Sequence, residues 1–83
     1  MNIQVYNLSR NTRDADLRRL FAPYGTVYTA EVVRDKLNGR SKGNGLIEMP
    51  VETEARQAIA SLDQTLMDGK KISVSEQRLP PQW

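Results

Sequence analysis

The side chains of this sequence that can do chemistry are amides, hydroxyls and cations. Gln4 and Tyr6 alternate with Ile3 and Val5, and Asn44 stands within Lys42-Gly43-Asn44-Gly45-Leu46-Ile47-Glu48-Met49. An amide carries both a donor and an acceptor, so Gln4 and Asn44 can pair with the polar edge of a ligand, while Tyr6 adds a ring and a hydroxyl. Arg34, Lys36, Arg40 and Lys42 crowd around the single carboxylate of Asp35. Such a cluster suits the holding of an anion. Lys70, Lys71 and Arg78 can extend the positive rim, and Arg10 follows the first apolar run. Against this stands ordinary surface, since exposed amides and solubility charges are commonly idle.

What is missing narrows the chemistry further. The 83 residues include no cysteine and no histidine. That removes thiol nucleophiles, disulfides, imidazole bases and the usual zinc or haem ligands, so no metal or cofactor is expected and binding ranks ahead of catalysis. The carboxylates Asp14, Asp16, Glu52 and Glu54 fall where helices should begin, and the helix dipole explains them. Lys plus Arg is 12 and Asp plus Glu is 10, a formal charge of +2. That balance permits a polyanionic partner without requiring one. No apolar run is long enough to cross a membrane, and the first residues lack the charged flank and apolar core of a secretion signal. A soluble intracellular protein, cytoplasmic or nuclear, is expected. Asn7-Leu8-Ser9 fits a glycosylation acceptor but reads better as a strand end.

The elements that must position these groups follow from periodicity. Ile3 and Val5 alternating with Asn2, Gln4 and Tyr6 predict a strand with one buried face. Thr12 is the expected N-cap of a helix whose stripe is Leu17, Leu20, Phe21 and Tyr24, with Pro23 and Gly25 ending it. Thr26 to Arg34 reads as a second strand and Lys42 to Met49 as a third, joined into a hairpin through a tight turn at Asn38-Gly39. Glu52 to Asp63 repeats helical spacing with Ala55, Ala58, Ile59 and Leu62. Asp68-Gly69 leads into a fourth strand, Lys71 to Glu76. The chain should form one domain over residues 1–77, with 78–83 an extended tail shaped by Pro80 and Pro81.

The order βαββαβ predicts an α+β, ferredoxin-like sandwich: a four-stranded antiparallel sheet, ordered fourth, first, third, second, with both helices on one face. Strand parity then sorts the side chains. Ile3, Val5, Gly45, Ile47, Met49, Ile72 and Val74 face the helices, and Gln4, Tyr6, Asn44, Leu46, Glu48, Ser73 and Ser75 face the open side, joined by Glu31 and Val33.

At this point the residues resemble a known family, the RNA-recognition motif (RRM) domain. Lys42 to Met49 resembles its octapeptide, a basic residue, Gly, aromatic, Gly or Ala, aromatic, Val, any residue, aromatic. Ile3-Gln4-Val5-Tyr6-Asn7-Leu8 is similar to its hexapeptide, and Leu17 to Gly25, Arg34 to Gly43, Ala55 to Ile59 and Asp68 to Lys70 resemble its remaining segments. The resemblance implies an RNA-binding module and names candidate contacts at Gln4, Tyr6, Arg34, Lys36, Arg40, Lys42, Asn44, Leu46, Ser73 and Arg78. In the family, aromatics of the two peptides stack on unpaired bases. Gln4, Asn44 and Leu46 occupy those places here. Weak, strongly salt-dependent binding of single-stranded RNA is therefore expected, carried by charge and amides.

Two further expectations concern apolar groups. Leu46 and Val33 side by side suggest a contact surface, and the alternative function is protein interaction or self-association through the open face with Leu46, Val33 and Tyr6. The tail Leu79-Pro80-Pro81-Gln82-Trp83 is expected either to run free or to lay its indole on Leu46, Val33 or Tyr6.

Overall fold

A computed structural model describes residues 1–77, Lys42 by its backbone alone. The elements are β1 (Asn2–Tyr6), α1 (Asp14–Phe21), β2 (Thr29–Arg34), β3 (Ser41–Glu48), α2 (Glu52–Leu62), β4 (Leu66–Met67), β5 (Lys70–Lys71) and β6 (Ser73–Glu76). The tail and its Arg78 and Trp83 lie outside the described residues.

Alternation in β1 decides the centre of the sheet. Ile3 and Val5 are fully buried, and β1 pairs antiparallel with β3 on one side and β6 on the other. With β2 against β3 the order is β2-β3-β1-β6, the ferredoxin-like arrangement expected. The ladder continues past the end of β1, where Met1 and Met49 exchange backbone bonds of 2.8 and 3.0 Å. Val5 faces Gly45 on one neighbour and Val74 on the other, so the register sets the helix-facing residues in rows. Leu17 and Phe21 of α1 and Ala55, Ala58 and Leu62 of α2 close over them. Each large side chain so buried contributes roughly 1.5–3 kcal/mol.

Gly45 is a place where only glycine fits. A Cβ there would stand 2.6 Å from Cδ1 of Leu17 and 3.1 Å from Cδ1 of Leu8, both buried. The missing side chain lets α1 press onto β3. Gly25 serves the second helix in the same way: its φ is +152°, a Cβ would collide with Glu54, and Oε1 of Glu54 accepts from the backbone N–H of Thr26 at 3.2 Å.

Four local expectations are corrected. The N-cap of α1 is Arg13, one residue after Thr12. Thr12 is buried and sends its hydroxyl across a long 3.4 Å to Asp68, while Oδ2 of Asp16 accepts from the N–H of Arg13 at 2.9 Å. A carboxylate in the first turn satisfies the orphan donor better than a buried hydroxyl can. The second strand begins at Thr29 rather than Thr26; the carbonyls of Val27 and Tyr28 accept from Arg18, and the N–H of Tyr28 donates to the carbonyl of Glu48 at 2.7 Å just ahead of the regular ladder. The hairpin turn is not a two-residue Asn-Gly turn but a wider loop over residues 35–40, closed by Asp35 N–H to Arg40 O at 2.8 Å. Asp35 organises it, accepting from the backbone of Leu37 and Asn38, and Gly39 takes φ +72°.

The last expected strand is divided. β4 and β5 form a separate two-stranded hairpin before β6, and its loop residues Asp68 and Gly69 both have positive φ, as a two-residue primed turn needs. β2 is an edge of the sheet, and the N–H of Val32 donates outward to Oδ1 of Asp14 at 2.8 Å. The first turn of α1 is thereby fastened to the edge strand.

Candidate nucleic-acid interface

The face of the sheet away from the helices presents three rows. The middle row runs Glu31, Leu46, Gln4, Ser75; beside it on one side lie Asn44, Tyr6 and Ser73, and on the other Thr29, Glu48 and Asn2. Parity had placed Gln4, Tyr6, Glu31, Asn44, Leu46, Glu48, Ser73 and Ser75 here, while Thr29 was not foreseen. Except for exposed Glu31, Thr29 and Asn2, they are half-buried, as side chains lying along a pleated surface should be.

The polar groups of the middle are connected rather than idle. The hydroxyl of Tyr6 donates to Oε1 of Gln4 at 3.1 Å, and Nε2 of Gln4 donates to Oγ of Ser75 at 3.2 Å. Gln4 thus bridges two strands and fixes the direction of the tyrosine. Its carbonyl keeps a second lone pair and its amide a second N–H, so it can still engage a ligand while holding its neighbours. Asn44 sits directly opposite Tyr6 in the register.

Charge is distributed unevenly over the face. Glu48 lies at the end where β1 begins, and Glu31 at the β2 edge opposite Leu46. Beyond the other end, where β1 finishes and β3 starts, come Arg34, Lys36, Arg40, Arg10, Lys70 and Lys71, all exposed. The Asp35 carboxylate among them is turned to backbone N–H groups of its own loop. Arg34 reaches the carbonyl of Gly39 at 3.4 Å and Asn38 Oδ1 accepts from Arg40 N–H at 2.9 Å, which gives the loop a defined course. At its tip Leu37 is 97% exposed.

The structure therefore gathers Gln4, Tyr6, Asn44, Leu46 and Ser73 on one surface, with Arg34, Lys36 and Arg40 in the adjoining loop; Lys42 is placed in β3 between them, and Arg78 lies outside the described residues. The expected apolar pair is weaker than the sequence suggested. Val33 is half-buried at the irregularity of β2, and Leu46 has Glu31 and Gln4 as its cross-strand neighbours.

Sequence reasoning missed the bracing behind this surface. Asn7, at φ +66°, donates its side-chain amide to the carbonyl of Lys71 at 2.8 Å, and the N–H of Leu8 donates to the carbonyl of Gly43 at 2.9 Å. These two bonds draw together the loop after β1, the start of β3 and the β5 segment. An asparagine closing a strand was the available signal, because Asn tolerates the left-handed region.

Comparison with known proteins gives one consistent result. A family model described as RNA recognition motif matches residues 3–73. The chain is 41% identical over 73 residues to a 28 kDa chloroplastic ribonucleoprotein of Nicotiana sylvestris, covering 88% of this chain and 26% of that protein. It is 38% identical to the 28 kDa chloroplastic ribonucleoprotein of Spinacia oleracea, covering 92% of this chain and 34% of that one. The chain thus spans about a quarter to a third of these relatives. Among solved structures, that of RNA-binding protein PG1 superposes with a TM-score of 0.93 at 41% identity, covering 99% of each chain. A Sex-lethal protein/RNA complex superposes with a TM-score of 0.91 at 27% identity, covering 98% of this chain and 48% of that one.

Proposed function

Because the chain belongs to the RNA recognition motif family, we propose that it binds single-stranded RNA on the open sheet face and the loop between β2 and β3. The observation that carries the reading is the polarity of the face. Hydrogen-bonding groups sit in its middle, cations gather at one end, Glu48 keeps to the other end, and Glu31 stands at the β2 edge of the middle row. Phosphates are drawn to the cationic end, where Arg34, Lys36 and Arg40 engage them, with Lys42 assigned the same role by its position. Gln4, Asn44 and Ser73 then address base edges, and Arg78 is assigned to the same strand of RNA on its sequence position.

Affinity is weak on this reading. Stacking on an aromatic platform contributes roughly 1–3 kcal/mol per base, and the family's positions for it hold Gln4, Asn44 and Leu46. What remains is largely counterion release, so binding falls steeply with salt. Binding without catalysis is the whole of the proposed activity, and an intracellular setting goes with the ligand. Residues 1–77 act as the domain and the tail as an appendage to it.

Fluorescence anisotropy of a pooled, labelled single-stranded RNA at low salt tests the proposal. Saturable binding that weakens in Lys36→Ala/Arg40→Ala is expected; no binding at tens of micromolar protein sinks it. Because Glu31 interrupts the apolar patch around Leu46, association with protein or with a second copy is not favoured. A sedimentation mass that stays constant with concentration is the expected companion result.

A further inference from the structure

We propose that the cleft where β1 ends is a subsite for one nucleotide of the bound RNA, with its base on the ring of Tyr6 and its phosphate between Arg10 and Lys70. The inference rests on the RNA-binding reading above and gives it a location. The cleft has a volume of about 510 Å³ and is lined by Tyr6, Asn44, Ser41, Arg10 and Lys70, among others. Sites for small ligands span about 300–1,000 Å³, so one nucleotide unit suits it and a run of several does not.

Its chemistry distinguishes it from two other hollows among the described residues. No carboxylate lines it, whereas the hollow near Met1 carries Glu52 and Glu76, and the one between α1 and β4 carries Asp16 and Asp68. The first offers an anion two cations with no opposing carboxylate, whereas in the last Arg19 is outnumbered by two carboxylates. Beside the cations stand the two remaining parts a nucleotide needs. Asn44, opposite Tyr6 in the register, offers an amide to a base edge, and Tyr6 offers a ring.

The ring is held for the purpose. Residues two apart on one face of a strand are separated by roughly 6.6 Å, so the tyrosine hydroxyl reaches Gln4 only by leaning along β1. The bond runs back from Tyr6 toward the middle of the sheet, and Tyr6, half-buried, also lines the cleft. Gln4, itself fixed by Ser75, acts as a positioning residue. The aromatic surface absent at position 4 is supplied from two residues further along the same strand. The walls are equally fixed, by the Asn7 to Lys71 and Leu8 to Gly43 bonds.

The test uses the full chain with tetraadenylate, tetrauridylate and an abasic ribose-phosphate tetramer, followed by NMR of the Tyr6 ring and by titration. The Tyr6 ring protons, assigned by their loss in Tyr6→Phe, are expected to move upfield with the two tetranucleotides and to stay put with the abasic tetramer. Tyr6→Leu is expected to weaken binding about 5- to 150-fold, the range that removal of one stacked base implies. Tyr6→Phe, which keeps the ring, should stay within about threefold of the parent. In Gln4→Leu a changed ring shift in the bound state is expected, and the double change Arg10→Ala/Lys70→Ala should lower the salt slope by about 0.7 while the upfield shift persists at saturation. A parent that binds the tetranucleotides with the Tyr6 resonances unmoved overturns the subsite and leaves RNA binding standing. So does an abasic tetramer that binds as tightly as tetrauridylate, or a folded Tyr6→Leu with unchanged affinity. A parent that binds none of the three overturns the subsite together with the reading beneath it.

Discussion

The carboxylate of Asp63, just past the last turn of α2, accepts a hydrogen bond from the backbone N–H of Val74 in β6 at 2.8 Å. It thereby ties the second helix to the edge strand that carries Ser73 and Ser75. That bond, and a second from the Gln64 side chain, hold the Asp63 carboxyl below the usual carboxylate range. A depressed folded-state value contributes stability that is present above the unfolded value of about 3.9 and is lost as pH falls through the folded one. Melting temperature is therefore expected to drop as pH is lowered from about 5 toward 2. Asp63→Asn keeps an acceptor for Val74 and should remove this part of the pH dependence, while Asp63→Ala should cost about 1–2 kcal/mol at neutral pH. Thermal melts of the three proteins at several pH values check the first statement and urea melts at neutral pH the second.

Close approach at Gly45 yields a sharper effect. A methyl group there would stand 2.6 and 3.1 Å from the ends of two buried leucine side chains, so the core must shift to admit it. Gly45→Ala is expected to destabilise by about 1–3 kcal/mol through overpacking. Gly39→Ala meets nothing within 4 Å, so only its φ of +72° opposes it and a cost of about 1 kcal/mol is expected. A larger cost at 39 than at 45 in chemical denaturation would contradict this packing argument.

The loop between β2 and β3 should separate affinity from stability. Arg34, Lys36 and Arg40 are exposed and take no part in the core. Replacing Lys36 or Arg40 by alanine is expected to leave stability within about 0.5 kcal/mol and to flatten the plot of log affinity against log salt by about 0.7 for each phosphate no longer neutralised. A uniform effect across RNA sequences is expected too, because cations that hold phosphates carry no base information. A mutant that changes base preference at constant salt slope would assign the loop a different role.

Much of this architecture was legible because both periodicities are clean. Ile3 and Val5 against Gln4 and Tyr6 set the face of β1, and Gly45, Ile47 and Met49 set that of β3, so the open-face residues followed by parity alone. What escaped was set by contacts between distant segments. β4 and β5 are two residues each, too short to show alternation, and Lys70 and Lys71 read only as charge. Thr12 has the chemistry of an N-cap, yet tertiary burial claims it and leaves the role to Arg13 and Asp16. The cleft beside Tyr6 takes its lining from the loop after β1, the start of β3 and β5, which only the register brings together. Likewise the bond from Tyr6 to Gln4 lies between two residues the sequence presented as separate candidates.

Restoring rings to the open face discriminates between a surface re-specified for RNA and one withdrawn from it. Gln4, Asn44 and Leu46 are half-buried on the open face, in cross-strand register with Ser75, Tyr6 and Glu31, and aromatic side chains are accommodated well on such pleated positions. The triple change Gln4→Phe/Asn44→Phe/Leu46→Phe is expected to fold and to tighten single-stranded RNA binding, each productive stack adding roughly 1–3 kcal/mol. The gain should be smaller than three full stacks, because replacing Gln4 releases the hydroxyl of Tyr6 and the new ring competes for the space over β1. Part of the added affinity should also survive at high salt, since stacking releases no counterions. Comparison of the parent and triple variant at two salt concentrations measures both effects. Unchanged affinity in a variant that folds would mean that RNA does not lie across the middle row at all, and would confine its binding to the cationic end of the sheet.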